Sequence, residues 1–251
     1  MSKNNSFAIN ESIVHAKDTN YPYRRGMGMF PSAEWVTFFD DFTGGVASNV
    51  PDGWAAAIID TGCTITNAGL AGGVVLIDSD ADNEGAAAYL NKSVALAGKK
   101  FFMEVRVKME DVSASTFQFG LSDLTAVTNP EDIWTTTTTD YISFGNLDAA
   151  TVSLTYDKDN GGTVTETNTD TTAATLADDT YAVLAIAYNG ATDPTAGALT
   201  AYVNGTQVAS ALTHGQVPED LPLAPFFGAL AGHATTADVF HLDYFRFAVQ
   251  R

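Results

Sequence analysis

The sequence holds one cysteine, Cys63, so no intrachain disulfide can form. A disulfide-stapled secreted domain is excluded, and synthesis in a reducing compartment is the expectation. Cys63 lies in a largely uncharged stretch, which points to a packed core thiol rather than a nucleophile. No apolar run is long enough to span a bilayer, and the N-terminus, MSKNNSFAINES, lacks the apolar segment of a signal peptide. The chain is expected to be made in a cytoplasm and to reach any exterior by assembly or lysis. The sequons at Asn4, Asn10, Asn91 and Asn204 then read as chance. Long segments of helical period are missing as well. So are Gly-x-Ser-x-Gly, a Walker loop and His-Glu-x-x-His, while His15, His214, His233 and His241 are scattered without a paired spacing.

Basic residues are scarce. Lys and Arg number 12 against 30 Asp and Glu, a net charge of −18 in 251 residues. The imbalance is uneven. Residues 1–25 carry Lys3, Lys17, Arg24 and Arg25 against Glu11 and Asp18, a local +2, which leaves −20 for the rest. Between Met109 and Phe245 stand 18 acidic residues and one basic residue, Lys158. Such a body repels nucleic acid and anionic membrane, so neither is an expected partner.

Residues 1–35 differ from the remainder. Tyr21, Tyr23, Arg24, Arg25, Met27, Met29 and Phe30, with two prolines, read as an extended arm. It either docks on another chain or packs across its own domain. From residue 36 to 251 the pattern is strands and turns. Candidate strands are Val36–Phe42, Trp54–Asp60, Gly73–Ile77, Ala86–Leu90, Phe101–Met109, Thr116–Asp123, Asp140–Phe144, Thr151–Tyr156, Thr163–Thr167, Tyr181–Tyr188, Ala198–Val203, Pro225–Ala231 and Val239–Val249. Gly98-Lys99, Asn160-Gly161, Asn189-Gly190 and Asn204-Gly205 supply turns. Single helical turns have room only at Val208–Leu212 and Asn129–Trp134. The pattern predicts an all-β, two-sheet antiparallel sandwich in one domain. In Phe101–Glu110 apolar residues alternate with Phe102, Glu104, Arg106, Lys108 and Glu110, so one face is expected to be buried. Val239–Val249 has apolar groups at both parities, as a central strand covered on both sides, or one that meets a neighbouring chain, would.

Several short segments occur in a telling order: Phe39-Asp40-Asp41-Phe42, Gly53-Trp54, EGAAAYL from Glu84, KKFFMEVRV from Lys99, FQFGLSD from Phe117, LTAYVNG from Leu199 and LDYFRF from Leu242. This order resembles the concanavalin A-like lectin/glucanase jelly roll over residues 36–250. More narrowly it is similar to the version in tailed-bacteriophage virion proteins. That resemblance implies a structural protein, most simply a capsid decoration (cement) protein on the virion exterior. Its 1–35 arm would hold the major capsid protein, and it would form a homo-oligomer such as a trimer. The alternative is a carbohydrate-binding, lectin-like host-adsorption or fibre domain.

Glycosidases of this fold resemble one another in a strand carrying Glu, Asp and Glu at near-alternate positions, and retaining hydrolysis needs two carboxyl groups about 5–5.5 Å apart. The face matched here is Glu104, Arg106, Lys108 and Glu110, with cations at the central positions. Glu104 and Glu110 would stand roughly 20 Å apart along a strand. No catalytic residue is therefore assigned, and the expectation is that the chain is not an enzyme. No cofactor is required. Asp78, Asp80, Asp82 and Glu84 alternate as in a calcium loop, but Asn83 and Tyr89 stand where an EF-hand needs Gly and Glu. A solvated acidic loop is the competing reading. For sugar binding the candidates are Trp134 and Tyr141, with core packing as the competing reading.

Overall fold

The computed structural model describes residues 35–42, 53–59, 62–67, 73–79, 84–90, 92–113, 115–123, 140–146, 150–158, 167–190, 193, 195, 197–208, 212–231 and 238–251. The arm and its residues Tyr21 to Phe30 lie outside this set.

The strands in chain order begin with β1 (Trp35–Asp40), β2 (Trp54–Ile59), β3 (Thr64–Asn67), β4 (Val75–Ser79), β5 (Gly85–Leu90), β6 (Phe101–Met109), β7 (Ser115–Ser122) and β8 (Tyr141–Asn146). They continue with β9 (Thr151–Asp157), β10 (Thr167–Thr175), β11 (Ala182–Tyr188), β12 (Gly197–Val203), β13 (Thr206–Gln207), β14 (Leu212–Thr213), β15 (Ala224–Ala231) and β16 (Asp238–Gln250). Nine strands form sheet A, in the order β13-β12-β11-β6-β16-β4-β3, with β1 beside β16 and β14 beside β12. Seven form sheet B, in the order β10-β9-β8-β7-β15-β5-β2. All described pairings are antiparallel, and the two sheets pack as the sandwich that the strand pattern predicts.

Alternation sorts the side chains. In β6, Phe101, Met103, Val105, Val107 and Met109 point between the sheets and are all buried. From sheet B, Phe117, Phe119 and Leu121 of β7 and Ile142 and Phe144 of β8 meet them. Burying each such side chain contributes about 1.5–3 kcal/mol. Cys63 is buried in the same core, as expected.

The Phe39–Phe42 segment has a structural purpose. Asp40 accepts the indole N–H of Trp54 at 2.9 Å and the backbone N–H of Phe42 at 2.8 Å. Phe42 takes a left-handed φ of 54°, unusual for a bulky residue, and Asn67 Nδ2 donates to its carbonyl at 2.6 Å. These bonds turn Phe42 inward, against Trp54 and Phe227. Trp54 also contacts Phe245 edge-on, with ring centroids 4.9 Å apart, and so ties the two sheets together.

One expectation needs correction. Residues 239–249 do not have two apolar faces. A bulge between Leu242 and Tyr244 shifts the alternation, so Phe240 and Leu242 before it and Phe245, Phe247 and Val249 after it share the core. Of the strand expected at Thr163–Thr167, Thr167 alone is described, and it opens β10, Thr167–Thr175. Of the turn expected at Val208–Leu212, residues 209–211 lie outside the described residues, and a 3-10 turn follows β14 at His214–Gln216. The short strands β3, β13 and β14 carried too few residues to signal a period. At the β12–β13 hairpin, Asn204 and Gly205 have φ of 48° and 81°, the positive values that a two-residue turn needs.

Candidate functional site

Every second residue of sheet B points away from the core. On β7 these are Thr116, Gln118, Gly120 and Ser122; on β8, Tyr141, Ser143 and Gly145; on β9, Ser153, Thr155 and Asp157. The ladders align them in rows. Gln118 faces Gly145, which faces Ser153; Gly120 faces Ser143, which faces Thr155; Ser122 faces Tyr141, which faces Asp157. Each row spans about 10 Å, two interstrand spacings. The neighbouring strands β15 and β5 give the same face a different character, with Phe226 opposite Tyr89 and Gly228 opposite Ala87.

The face thus has an apolar half and a hydroxyl, amide and carboxyl half. It is withdrawn from solvent although it lies outside the core. Tyr141 is 1% exposed and Phe226 0%, yet neither belongs to the inter-sheet cluster. Gln118, Ser122, Ser143, Thr155 and Asp157 are buried with them.

Two glycines shape this surface. A Cβ on Gly120 would stand 1.8 Å from the carbonyl oxygen of Ile142, and one on Gly145 1.8 Å from that of Phe117. Both obstacles are backbone, so no side chain can be accommodated, and β7 and β8 approach more closely than substituted residues allow. Gln118 is anchored by its Nε2, which donates to the Asn146 carbonyl at 3.0 Å. Asn146 accepts the Phe117 N–H at 2.9 Å and donates to the carbonyls of Val112 at 3.1 Å and of Ser115, closing one end of the face. Ser143 and Thr155 share a hydroxyl–hydroxyl bond.

Two polar atoms of the face lack a protein partner. Gln118 Oε1 and Ser122 Oγ are buried and accept or donate no hydrogen bond. Buried polar atoms are nearly always paired, and an unpaired one costs about 1–3 kcal/mol. Together with the aromatic half, they leave unmet hydrogen-bonding capacity beside the buried rings of Tyr141 and Phe226.

The structure places the predicted residues unevenly. Tyr141 stands in the middle of the row it shares with Ser122 and Asp157. Trp134, Asp80 and Asp82 lie outside the described residues. Asp78 is exposed on β4, Glu84 is half-buried just before β5, and no group of three metal-ligating side chains occurs among the described residues. Gln118, Ser122, Ser143, Thr155 and Asp157 were not anticipated. Their signal was present in Phe117-Gln118-Phe119-Gly120-Leu121-Ser122, a strict alternation of apolar with small or polar residues.

The residues weighed as a broken catalytic motif belong to the other sheet. Glu104, Arg106 and Lys108 lie on the outer face of sheet A. Glu104 is 1% exposed and accepts the Tyr244 hydroxyl at 2.9 Å. Arg106 pairs with Asp243 and sits over the Tyr181 ring, 4.1 Å from its centroid; Lys108 pairs with Asp179 at 3.0 Å. Phe102, also on this face, is buried with Ala185, so the face is not wholly exposed as alternation implied.

A second polar cluster ends β11. The Tyr188 hydroxyl donates to Glu219 Oε1 at 2.5 Å and is hydrogen-bonded to His214 Nδ1 at 2.7 Å. Burial, then the bond to Glu219, raises the Tyr188 pKa and keeps the phenol neutral. These three groups satisfy one another and tie the 3-10 turn to sheet A.

No protein-family model matches the chain, and no curated protein sequence does. Solved structures do. Crh5 transglycosylase in complex with NAG is similar with a TM-score of 0.56 at 14% identity, covering 84% of this chain and 83% of that one. LamA from Z. galactanivorans, in complex with laminaritriose and laminaritetraose, gives 0.56 at 13%, covering 87% and 99%. Lectin UEA-II complexed with galactose gives 0.56 at 12%, covering 87% and 100%. The fold is therefore the concanavalin A-like jelly roll of lectins and glucanases. The expectation that the chain is not an enzyme is overturned. Its fold is shared with a transglycosylase. The defect it rested on, Arg106 and Lys108, lies on sheet A, while the polar face with Asp157 lies on sheet B.

Proposed function

We propose that this concanavalin A-like domain recognises carbohydrate on the outer face of sheet B. One observation carries the reading: Gln118 Oε1 and Ser122 Oγ are buried on that face without a protein partner. A sugar presents hydroxyl groups, which both donate and accept, beside an apolar C–H face. The half-buried Tyr89 is the ring of that face open to the C–H face of a sugar, while Gln118, Ser122, Tyr141 and Phe226 are buried and meet a ligand only if it displaces what covers them. The similar folds solved with NAG, laminari-oligosaccharides and galactose support the same reading. The virion-decoration expectation rests on arm residues outside the described set, and no described residue favours it over glycan binding.

A glycan array followed by calorimetric titration tests the proposal. Millimolar or tighter binding of a defined oligosaccharide is expected, weakened by Gln118→Ala and by Tyr141→Ala in variants whose far-UV spectrum is unchanged. Absence of binding across the array, or binding indifferent to both substitutions, defeats it. Reducing-sugar release in the same samples reads whether a bound glycan is also cut.

A further inference from the structure

We infer that β1 is a docking edge for a second copy of this chain, pairing antiparallel with its own counterpart so that two A sheets join into one. The inference is independent of the glycan reading and uses the opposite sheet. β1 pairs with β16 on one side, and no described strand pairs with its other edge. Such an edge offers main-chain donors and acceptors to another strand. Protein edges are commonly blunted by Lys, Pro or a bulge. β1 reads WVTFFD and keeps an unbroken register with β16. Its side chains are unusually bare. The exposed large apolar residues among those described are Val36 at 47%, Phe39 at 54% and Leu221 at 43%, and two of these three stand on this one six-residue strand. Phe39 lies on the outer face of sheet A against Tyr244, with ring centroids 6.1 Å apart. Val36 faces the other way, into an open cleft of about 530 Å³ whose lining includes Val94, Val249, Lys99 and Arg251.

Charge decides the occupant. Asp40 and the exposed Asp41 close one end of β1, and Lys99 and Arg251 stand beside Val36 at the other. Antiparallel pairing about a two-fold axis brings the acidic end of each copy to the cationic end of the other, so the contact is made twice. With Thr37 at the axis, Phe39 of each copy stands opposite Trp35 of the other, an aromatic pair on the outer face. Asp41 then comes within about 10 Å, two interstrand spacings, of the end of β16 in the other copy, where Arg251 follows. Two bodies of charge −18 repel each other in general, and this edge is where cations offset that repulsion. Arg106 and Lys108 are already held by Asp243 and Asp179, whereas neither Lys99 nor Arg251 makes an ion pair with a described residue.

Sedimentation velocity of the full chain over a wide range of concentration, at physiological salt, tests this. A reversible monomer–dimer equilibrium is expected. Phe39→Lys should weaken the dimer at least tenfold, and so should Asp41→Lys, in variants whose far-UV spectrum is unchanged. The second substitution is the sharper arm. It makes each copy less negative, so association should tighten unless Asp41 meets cations across the interface. Adding Lys99→Glu and Arg251→Glu to Asp41→Lys should restore the dimer, although each copy is then more negative than the unaltered chain. Should a variant fail to fold, hydrogen exchange of the unaltered chain decides: protection of the β1 amides should rise with protein concentration. Protection that is the same at every concentration would mean that the chain's own residues cover the edge, and it overturns the inference. So does a monomer at all concentrations, or a dimer indifferent to both Phe39→Lys and Asp41→Lys.

Discussion

Replacing Ser122 by alanine should make the free protein more stable and its glycan complex weaker. The Ser122 side chain is fully buried, and its Oγ has no partner. Leaving such an atom unpaired costs about 1–3 kcal/mol, which alanine removes. Against this stands the loss of one atom's packing contacts, a few tenths of a kcal/mol. The net gain is about 1 kcal/mol, or a rise in Tm of about 2–4 °C for a domain of this size. In the complex the same hydroxyl would make one neutral hydrogen bond, worth about 0.5–1.5 kcal/mol. Its removal should weaken binding roughly two- to tenfold. Ser143→Ala is the matched control. Ser143 is equally buried on the same face, but its hydroxyl is bonded to Thr155, so the same chemical change should destabilise. Urea and thermal unfolding without ligand, with calorimetric titration alongside, measure both signs. If Ser122→Ala lowers stability as Ser143→Ala does, the hydroxyl is satisfied within the fold and the argument for a site at Ser122 fails.

Gly120→Ala should cost about 3 kcal/mol or more, because its Cβ would stand 1.8 Å from the Ile142 oxygen and 2.8 Å from its carbonyl carbon. A shift in the urea midpoint equivalent to less than about 1 kcal/mol would show that the strands separate freely. Asn146→Ala removes bonds to Phe117, Val112 and Ser115 at once and should cost about 2–4 kcal/mol; a near-neutral urea curve would contradict that bracing role. His241 supplies a pH dependence. Burial, then the charge of Lys108, lowers its pKa below the ordinary value of 6.5, outweighing Asp179 and Asp238, which act in the opposite direction. The folded protein thus prefers the neutral ring, so this contribution is present above about pH 6.5 and is lost as pH falls through the lower folded-state value. His241→Gln should flatten the fall of the urea midpoint just below pH 6.5; an unchanged slope would assign the fall to other groups.

Much of the fold was legible in the sequence for a simple reason. A half-buried strand repeats every two residues, and β6, β7 and β11 keep that period over seven to nine residues. The turn at Asn204-Gly205 was legible because few residues tolerate positive φ. Where the period fails, so did the reading. The Thr-rich β10 offers no contrast between faces, and β13 and β14 have two residues each. The bulge in β16 made one buried face look like two.

The candidate site was far less legible. Tyr141 could be named from its residue type, but its neighbours Ser122 and Asp157 lie 19 and 16 positions away in the chain. Only the pairing of β7 with β8 and β8 with β9 brings them into one row. The carboxylate argument failed for the same reason: β6 shows alternation, but nothing in it shows which sheet it joins. Composition alone determined the acidic body and the shortage of cations, because these are sums over residues, and the period-two pattern with its turns determined the all-β class. The tertiary structure decided which alternating positions share a face, which polar atoms on it are left unpaired, and that the face lies on sheet B. Those are properties of strand order and register, which arise only when residues distant in the chain are paired.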